Sequence, residues 1–276
     1  MFKSVKQARA ALSMLNPHEV QRMAEIPVHI GLVAASEAAY REMEEFLSPG
    51  VRSLQVHRAD NRDVPENVDV VLYESSVANP SGGYRFDHVA PDSWIDAILH
   101  DHDDLAIALA HQFPAFRQPV VDRTIHAVSR ENALFALATA MPNVVPNLIE
   151  LPWAFGEFAS DLTFLTANQV RMAFMIAAAS GRQPGFKGQM APVATIAGGA
   201  FGWRAIAREL VGKIPLGGGL IPKAAVAYAG TYLVGKGLQQ YYKGAHRMTR
   251  EERRLAYSEG YRRGKDVALE LRRNTQ

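Results

Sequence analysis

The chain has 276 residues, 48% of them hydrophobic and 21% charged, which is enough apolar material for one large core or two modest ones and too much for global disorder. A formal net charge of +2 is too near balance to draw a nucleic-acid partner, although a pI near 8.8 leaves room for a local basic patch. The absence of cysteine excludes disulfides, thiolate metal sites and cysteine nucleophiles, and fits a reducing, cytoplasmic setting.

The first stretch, MFKSVKQARAALSMLN, carries Lys3, Lys6 and Arg9 but no apolar run of signal-peptide length. Phe2, Val5, Leu12 and Leu15 fall on one side of a helix, which fits an amphipathic first helix better than an organellar transit peptide. Asn16-Pro17-His18-Glu19 then reads as the start of a second helix, with proline where its missing N–H costs nothing.

Strand-like runs separated by polar turns extend from about Pro27 to Phe116. PVHIGLVAAS (27–36) suits a buried parallel strand, and EAAYREMEEFL (37–47) is an amphipathic helix stopped by Ser48-Pro49-Gly50. RSLQVHRA (52–59) alternates as a second strand, and VDVVLYES (68–75) is a third, ending in polar residues at the sheet edge where open α/β folds keep their ligand crevices. Farther on, His100-Asp101-His102-Asp103-Asp104 holds metal-ligand residue types, but its acids also suit the entry of a helix beginning near Leu105, and capping is the preferred reading.

From about Val120 the text becomes rich in alanine, glycine and methionine at helical spacing. Arg130-Glu131-Asn132 reads as the polar entry of one helix. LTANQVRMAFMIAAAS reads as another, capped by Thr166, stopped at Gly181 and apolar nearly all round, with Arg171 in its middle. Small residues recur every fourth position at Ala194, Gly198 and Gly202 and again at Ala227, Thr231 and Gly235, the spacing that lets two helix backbones approach. Charges at Arg204, Arg208, Glu209, Lys213, Lys223 and Lys236 keep any charge-free run in this region shorter than a spanning helix needs. The last helix opens with Thr249 as cap and Glu252 three residues on. Leu255, Tyr261, Val267, Ala268 and Leu271 form its expected apolar stripe, and Arg253, Arg254, Arg262, Arg263, Arg272 and Arg273 its basic skirt.

The strand-turn-helix layout of the first part invites comparison with a GTPase. A phosphate loop needs glycines for converging N–H groups, a lysine for the terminal phosphates and a hydroxyl for magnesium. GLVAASEAAY offers Gly31 and Ser36 as a vestige of such a loop, but Glu37 and Ala38 follow where lysine and hydroxyl belong, and a carboxylate there repels phosphate. No Asp-x-x-Gly follows Glu74, and no Asn-Lys-x-Asp occurs anywhere.

In the second part, RENALFALATAMPNVVP, LTANQVRMAFMIAAASG and AFGWRAIARELVGKIPLGGGLIPKAAVAYAGTYLVGKG together resemble the helical family found in YcjF-type bacterial proteins and appended to some Era-like GTPases. That resemblance implies a helical module that travels with GTPase domains at membranes and brings no catalytic residues. The expected organisation is N-terminal helices over 1–26, a degenerate GTPase-like α/β module over 27–118 and an all-α helical domain over 119–276.

Three candidate sites follow. One is the vestigial loop at Gly31 and Ser36. The second is the KIPLGGGLIPK turn, whose Ile214, Leu216, Leu220 and Ile221 between Lys213 and Lys223 suit a greasy tip that either folds back onto a core or meets anionic headgroups. The third is a cluster of Asp161, Arg171, Arg204, Arg208 and Glu209, either structural ion pairs or an anion site between helices. No catalytic residue, cofactor or metal is expected. The role anticipated is a non-catalytic scaffold or regulator, cytoplasmic or peripheral at the inner membrane, with a protein partner that is itself a GTPase as one candidate and anionic membrane as a contact. The alternative is a GTP-binding protein or GTPase with an atypical phosphate loop.

Overall fold

The computed structural model describes residues 17–60, 67–78, 82–139, 161–185, 188–197, 220–244 and 247–274. The chain divides into two compact units, one comprising His18–Asp122 with Ala177–Pro184 and the other including Arg123–Ile176 and Gly185–Gln276. It is a parallel β-sheet region with helices, followed by a largely helical region.

Helix α1 (Pro17–Glu25) opens the α/β region with proline in its first position. Strand β1 (Ile30–Val33) is buried along its whole length, and helix α2 (Glu37–Leu47) follows with the bounds its pattern predicts, turning Met43 and Leu47 inward. Next come β2 (Val56–Arg58), β3 (Val70–Tyr73) and β4 (Tyr84–Arg85). They assemble in the order β2-β1-β3-β4 with every pairing parallel; Ile30 lies opposite both Val56 and Val70, and Leu72 opposite Tyr84. The central strand is therefore apolar on both faces, as parallel sheets require.

Strand β2 is shorter than the alternation of 52–59 implies. Ser53 intervenes: its hydroxyl accepts the Gln55 N–H and its carbonyl the Val56 N–H, both at 3.3 Å, so these amides close a local turn. Strand β4 has no apolar run to announce it. It follows Gly83, whose φ of 121° and lack of Cβ let the chain pass where a side chain would sit 2.8 Å from the Tyr73 ring and 2.9 Å from the Val71 carbonyl. Helix α3 (Pro91–Asp101) packs Trp94 among aromatic rings, 5.6 Å centre to centre from both Phe46 and Phe86, while its indole N–H donates to the Asp87 carbonyl. A 3-10 turn (Asp103–Leu105) then leads into α4 (Ala106–Gln112).

Helix α5 (Pro114–Ala138) begins well before Arg130, so Arg130-Glu131-Asn132 lies in its interior rather than at its entry; Pro119 sits inside its N-terminal portion, where loss of one N–H does not break it. Helix α6 (Asp161–Ala179) likewise starts upstream of Thr166, which is an interior residue and not a cap. Its end is as expected: the Gly181 N–H donates to the Ala178 carbonyl and the Arg182 N–H to that of Ala177, both at 2.9 Å.

After α7 (Met190–Ala197), helices α8 (Leu220–Tyr242) and α9 (Arg250–Asn274) form a tightly apposed pair. A Cβ on Gly260 would lie 3.0 Å from the Ala229 Cα, and one on Gly264 2.9 Å from the Ala225 Cα and 2.6 Å from the Tyr228 Cβ. The pairing of rising numbers on α9 with falling ones on α8 makes the helices antiparallel. Alanines facing glycines let backbones touch, which extends dispersion contact along the seam. The buried stripe of α9 is Tyr257, Gly260, Gly264 and Ala268. Of the expected stripe Ala268 is buried, Tyr261 and Val267 are half-buried and Leu255 is 65% exposed; the Leu271 side chain lies outside the described residues. The predicted cap holds, with the Glu252 N–H donating to Thr249 Oγ1 at 3.1 Å and the Thr249 N–H to the Glu252 carboxylate at 2.6 Å. Of the small-residue positions on α8, Ala227 is buried, Thr231 is hydrogen-bonded and Gly235 abuts Ile125 of α5; Gly198 and Gly202 lie outside the described residues.

Candidate functional site

In an open parallel sheet, ligands bind outside the carboxyl ends of the strands, where the strand order reverses. Here that point lies between β1 and β3. Two segments meet there, Ala34–Ser36 after β1 and Glu74–Ser76 after β3. The Ala35 N–H, a backbone donor of the turn after β1, donates to the Glu74 carboxylate at 2.7 Å. Glu74 also accepts from the Ser76 hydroxyl at 2.9 Å, and Arg85 donates to the Ser75 carbonyl. The chain thus lays one of its own carboxylates in the switch-point crevice.

Ser36 caps α2: its backbone is extended, and its hydroxyl accepts the Ala39 N–H at 3.1 Å. Glu37 occupies the first turn, where the helix dipole favours an anion. Arg41 at 3.0 Å and Arg58 at 2.5 Å bond its carboxylate; the Arg41 hydrogen bond contributes most, and together the two arginines hold the exposed carboxyl below its ordinary 4.5. Gly31 lies inside β1, paired with His57 and Val71, and the space above it is taken by Val68, whose Cγ1 would be 3.0 Å from an added Cβ. It therefore stands apart from the turn that holds Ser36.

The helical unit contains a connected polar network. Arg171 of α6 donates to Glu131 of α5 at 2.5 Å and to Asn168 Oδ1 at 3.1 Å. The Asn168 amide donates to Glu131 and to Asn132 Oδ1, both at 2.9 Å, and the Asn132 amide reaches Thr231 Oγ1 of α8 at 2.7 Å. The Thr231 hydroxyl in turn donates a hydrogen bond to the Ala227 carbonyl at 3.0 Å. This is a relay in which each member is satisfied, so its polar atoms tie three helices together in place of apolar packing. Arg171 thus pairs with Glu131, a residue outside the predicted set. Arg204, Arg208 and Glu209 lie outside the described residues, as does the Asp161 side chain.

Of the turn predicted as an apolar tip, Lys213, Ile214 and Leu216 lie outside the described residues. Leu220 and Ile221 begin α8, Ile221 is half-buried, and the exposed Lys223 ammonium donates to Thr139 Oγ1 at 3.2 Å. Among the described residues no helix is long and apolar enough to cross a membrane.

At 100–104 the acids do not cap α4 with their side chains; the Ala106 N–H bonds the Asp103 carbonyl, and the Tyr84 hydroxyl donates to Asp101 at 2.8 Å. Burial first, and that bond second, push the Tyr84 phenol up to about 12. Among the described residues no three His, Asp or Glu side chains converge as metal ligands.

The sequence gives no motif partner to any histidine, yet the fold brings several to one, two of these pairings being between side chains of neighbouring strands or helices. His29 Nδ1 and His57 Nε2 share a hydrogen bond of 2.9 Å across β1 and β2, and His126 Nδ1 and the Tyr228 hydroxyl one of 2.8 Å across α5 and α8. The first is traceable to register, because His57 lies opposite Gly31 and His29 two residues earlier shares that face. Comparison of the chain with protein-family models, with curated proteins and with solved structures finds no match.

Proposed function

We propose that the chain is a non-catalytic scaffold or regulatory protein, GTPase-related in layout, which binds a protein partner at or near the bacterial inner membrane. The observation that carries this reading is the bond from the Ala35 N–H to the Glu74 carboxylate at the sheet's switch point. A phosphate arriving there meets an anion that already holds the donor it needs. The bond is exposed to solvent, so the repulsion is about 1 kcal/mol at roughly 4 Å, and the occupied donor is the larger obstacle. The parallel sheet with its strand-turn-helix unit supports the GTPase-like layout, and the apolar residues of 214–221 flanked by Lys213 and Lys223 support peripheral contact with anionic lipid.

Isothermal titration of the full chain with GTP and with GDP, with and without magnesium, tests the reading. No heat of binding is expected. Micromolar, magnesium-dependent binding that Ser36→Asn weakens would reverse it in favour of an atypical GTP-binding protein; asparagine is chosen because it preserves the helix cap.

A further inference from the structure

An open groove of about 430 Å³ runs between the C-terminal part of α8 and the N-terminal part of α9. Met248, Leu255 and Ala256 give it an apolar lining, and Leu255 leaves 65% of its surface in solvent. Two cations line the groove. Lys236 is held over the Tyr232 ring at 5.6 Å and donates to Gln239 at 3.2 Å, while Arg262 is exposed. The groove's carboxylate, Glu259, is matched by Arg263, which donates to it at 2.9 Å and 3.1 Å.

We propose that this groove is the docking site for an acidic amphipathic segment of a partner protein. An apolar side chain of the segment covers Leu255 and Met248, and flanking carboxylates meet Lys236 and Arg262. The inference rests on the scaffold reading above and names the chemistry of its partner. The charge argument selects the occupant: with Glu259 already neutralised, the groove presents net positive charge around an apolar seat, which an acidic segment complements and a basic one does not.

The test uses the full chain and a capped, fluorescein-labelled peptide of repeated Glu-Leu-Leu-Glu units, with a Lys-Leu-Leu-Lys peptide as control and vesicles of phosphatidylcholine and phosphatidylglycerol as a third probe. The acidic peptide should bind, with Kd rising about tenfold in Leu255→Asp and in Arg262→Glu and rising with salt. Both positions are exposed, so these variants keep the wild-type circular dichroism, and Arg262→Gln gives a milder step in the same direction. The proposal is overturned if the acidic peptide does not bind, if both peptides bind alike, if the variants bind the acidic peptide as tightly as the parent chain, or if only the vesicles bind and the variants abolish it. A GTP titration of the same samples separates the two levels. Nucleotide binding removes the scaffold reading itself, whereas a silent peptide with silent nucleotide removes only the groove.

Discussion

Gly264 sits so close to α8 that an added methyl would fall 2.6 Å from the Tyr228 Cβ. Gly264→Ala should therefore force the helices apart and lower stability by about 1–3 kcal/mol in urea titration, even though alanine has the higher helix propensity. An unchanged or raised midpoint would mean that the seam is looser than its geometry. The Arg171 and Glu131 pair, about one-fifth exposed on each side, calls for a different experiment. Arg171→Met should cost about 1–3 kcal/mol, because Glu131 is left with the Asn168 amide alone among the bonds described. In a double-mutant cycle with Glu131→Gln the coupling should exceed about 0.5 kcal/mol; additive losses would show that the two residues act separately.

Glu259 carries the pH dependence at this scale. Desolvation is the largest single influence on it and raises its pKa, but the hydrogen bonds from Arg263 and Tyr232 and the charges of Arg263 and Lys236 outweigh it and leave the carboxyl below its ordinary 4.5. Between the two values the unfolded chain binds more protons than the folded one. The contribution is thus complete above about pH 4.5 and is lost as pH falls through the folded value. Unfolding free energy measured downward from pH 6 should fall less steeply for Glu259→Gln than for the parent chain. Equal slopes would place the acid sensitivity elsewhere.

Helix α9 shows at the level of one element what a pattern reveals. Thr249 and Glu252 mark its start because the capping box is a local device of four consecutive residues. Thr249→Ala should cost about 1 kcal/mol and raise hydrogen exchange chiefly in the first turn; uniform loss of protection would contradict a local cap. The buried face was harder to find. A search for the apolar pattern selects Leu255, Tyr261, Val267, Ala268 and Leu271; the helix buries Ala268 of these but otherwise turns Tyr257, Gly260 and Gly264 inward, while Leu255 is exposed. Glycine scores as polar or as a breaker in such a search, yet at a close crossing its lack of side chain is what permits burial. Strand β4 escaped for a related reason, since two residues after a Gly-Gly pair carry no periodicity. The early starts of α5 and α6 were hidden by Pro119 and Thr166, residues that usually bound helices and here lie inside them.

For the molecule as a whole, the proposed attachment is peripheral, through surface charge and a small apolar tip. In cell fractionation the chain should leave the membrane pellet on washing with high salt or carbonate. Retention through both washes would indicate an embedded segment and overturn that part of the proposal. Replacing Leu216 and Leu220 together by aspartate should reduce flotation with anionic liposomes; undiminished flotation would move the contact to the arginines of α9 or elsewhere.

The sequence by itself determined the class of fold and the poverty of phosphate-binding groups. Both are written in short spans: apolar runs of strand length, a helix cap, and a glutamate in the place of a lysine. Only the tertiary structure decided that Glu74 holds the Ala35 amide, that Arg171 pairs with Glu131, and that an open groove lies beside Leu255. The reason is physical. Each of these depends on residues from different elements meeting at a few ångströms, and such meetings are fixed by strand order and helix crossing, which no local pattern of residues encodes.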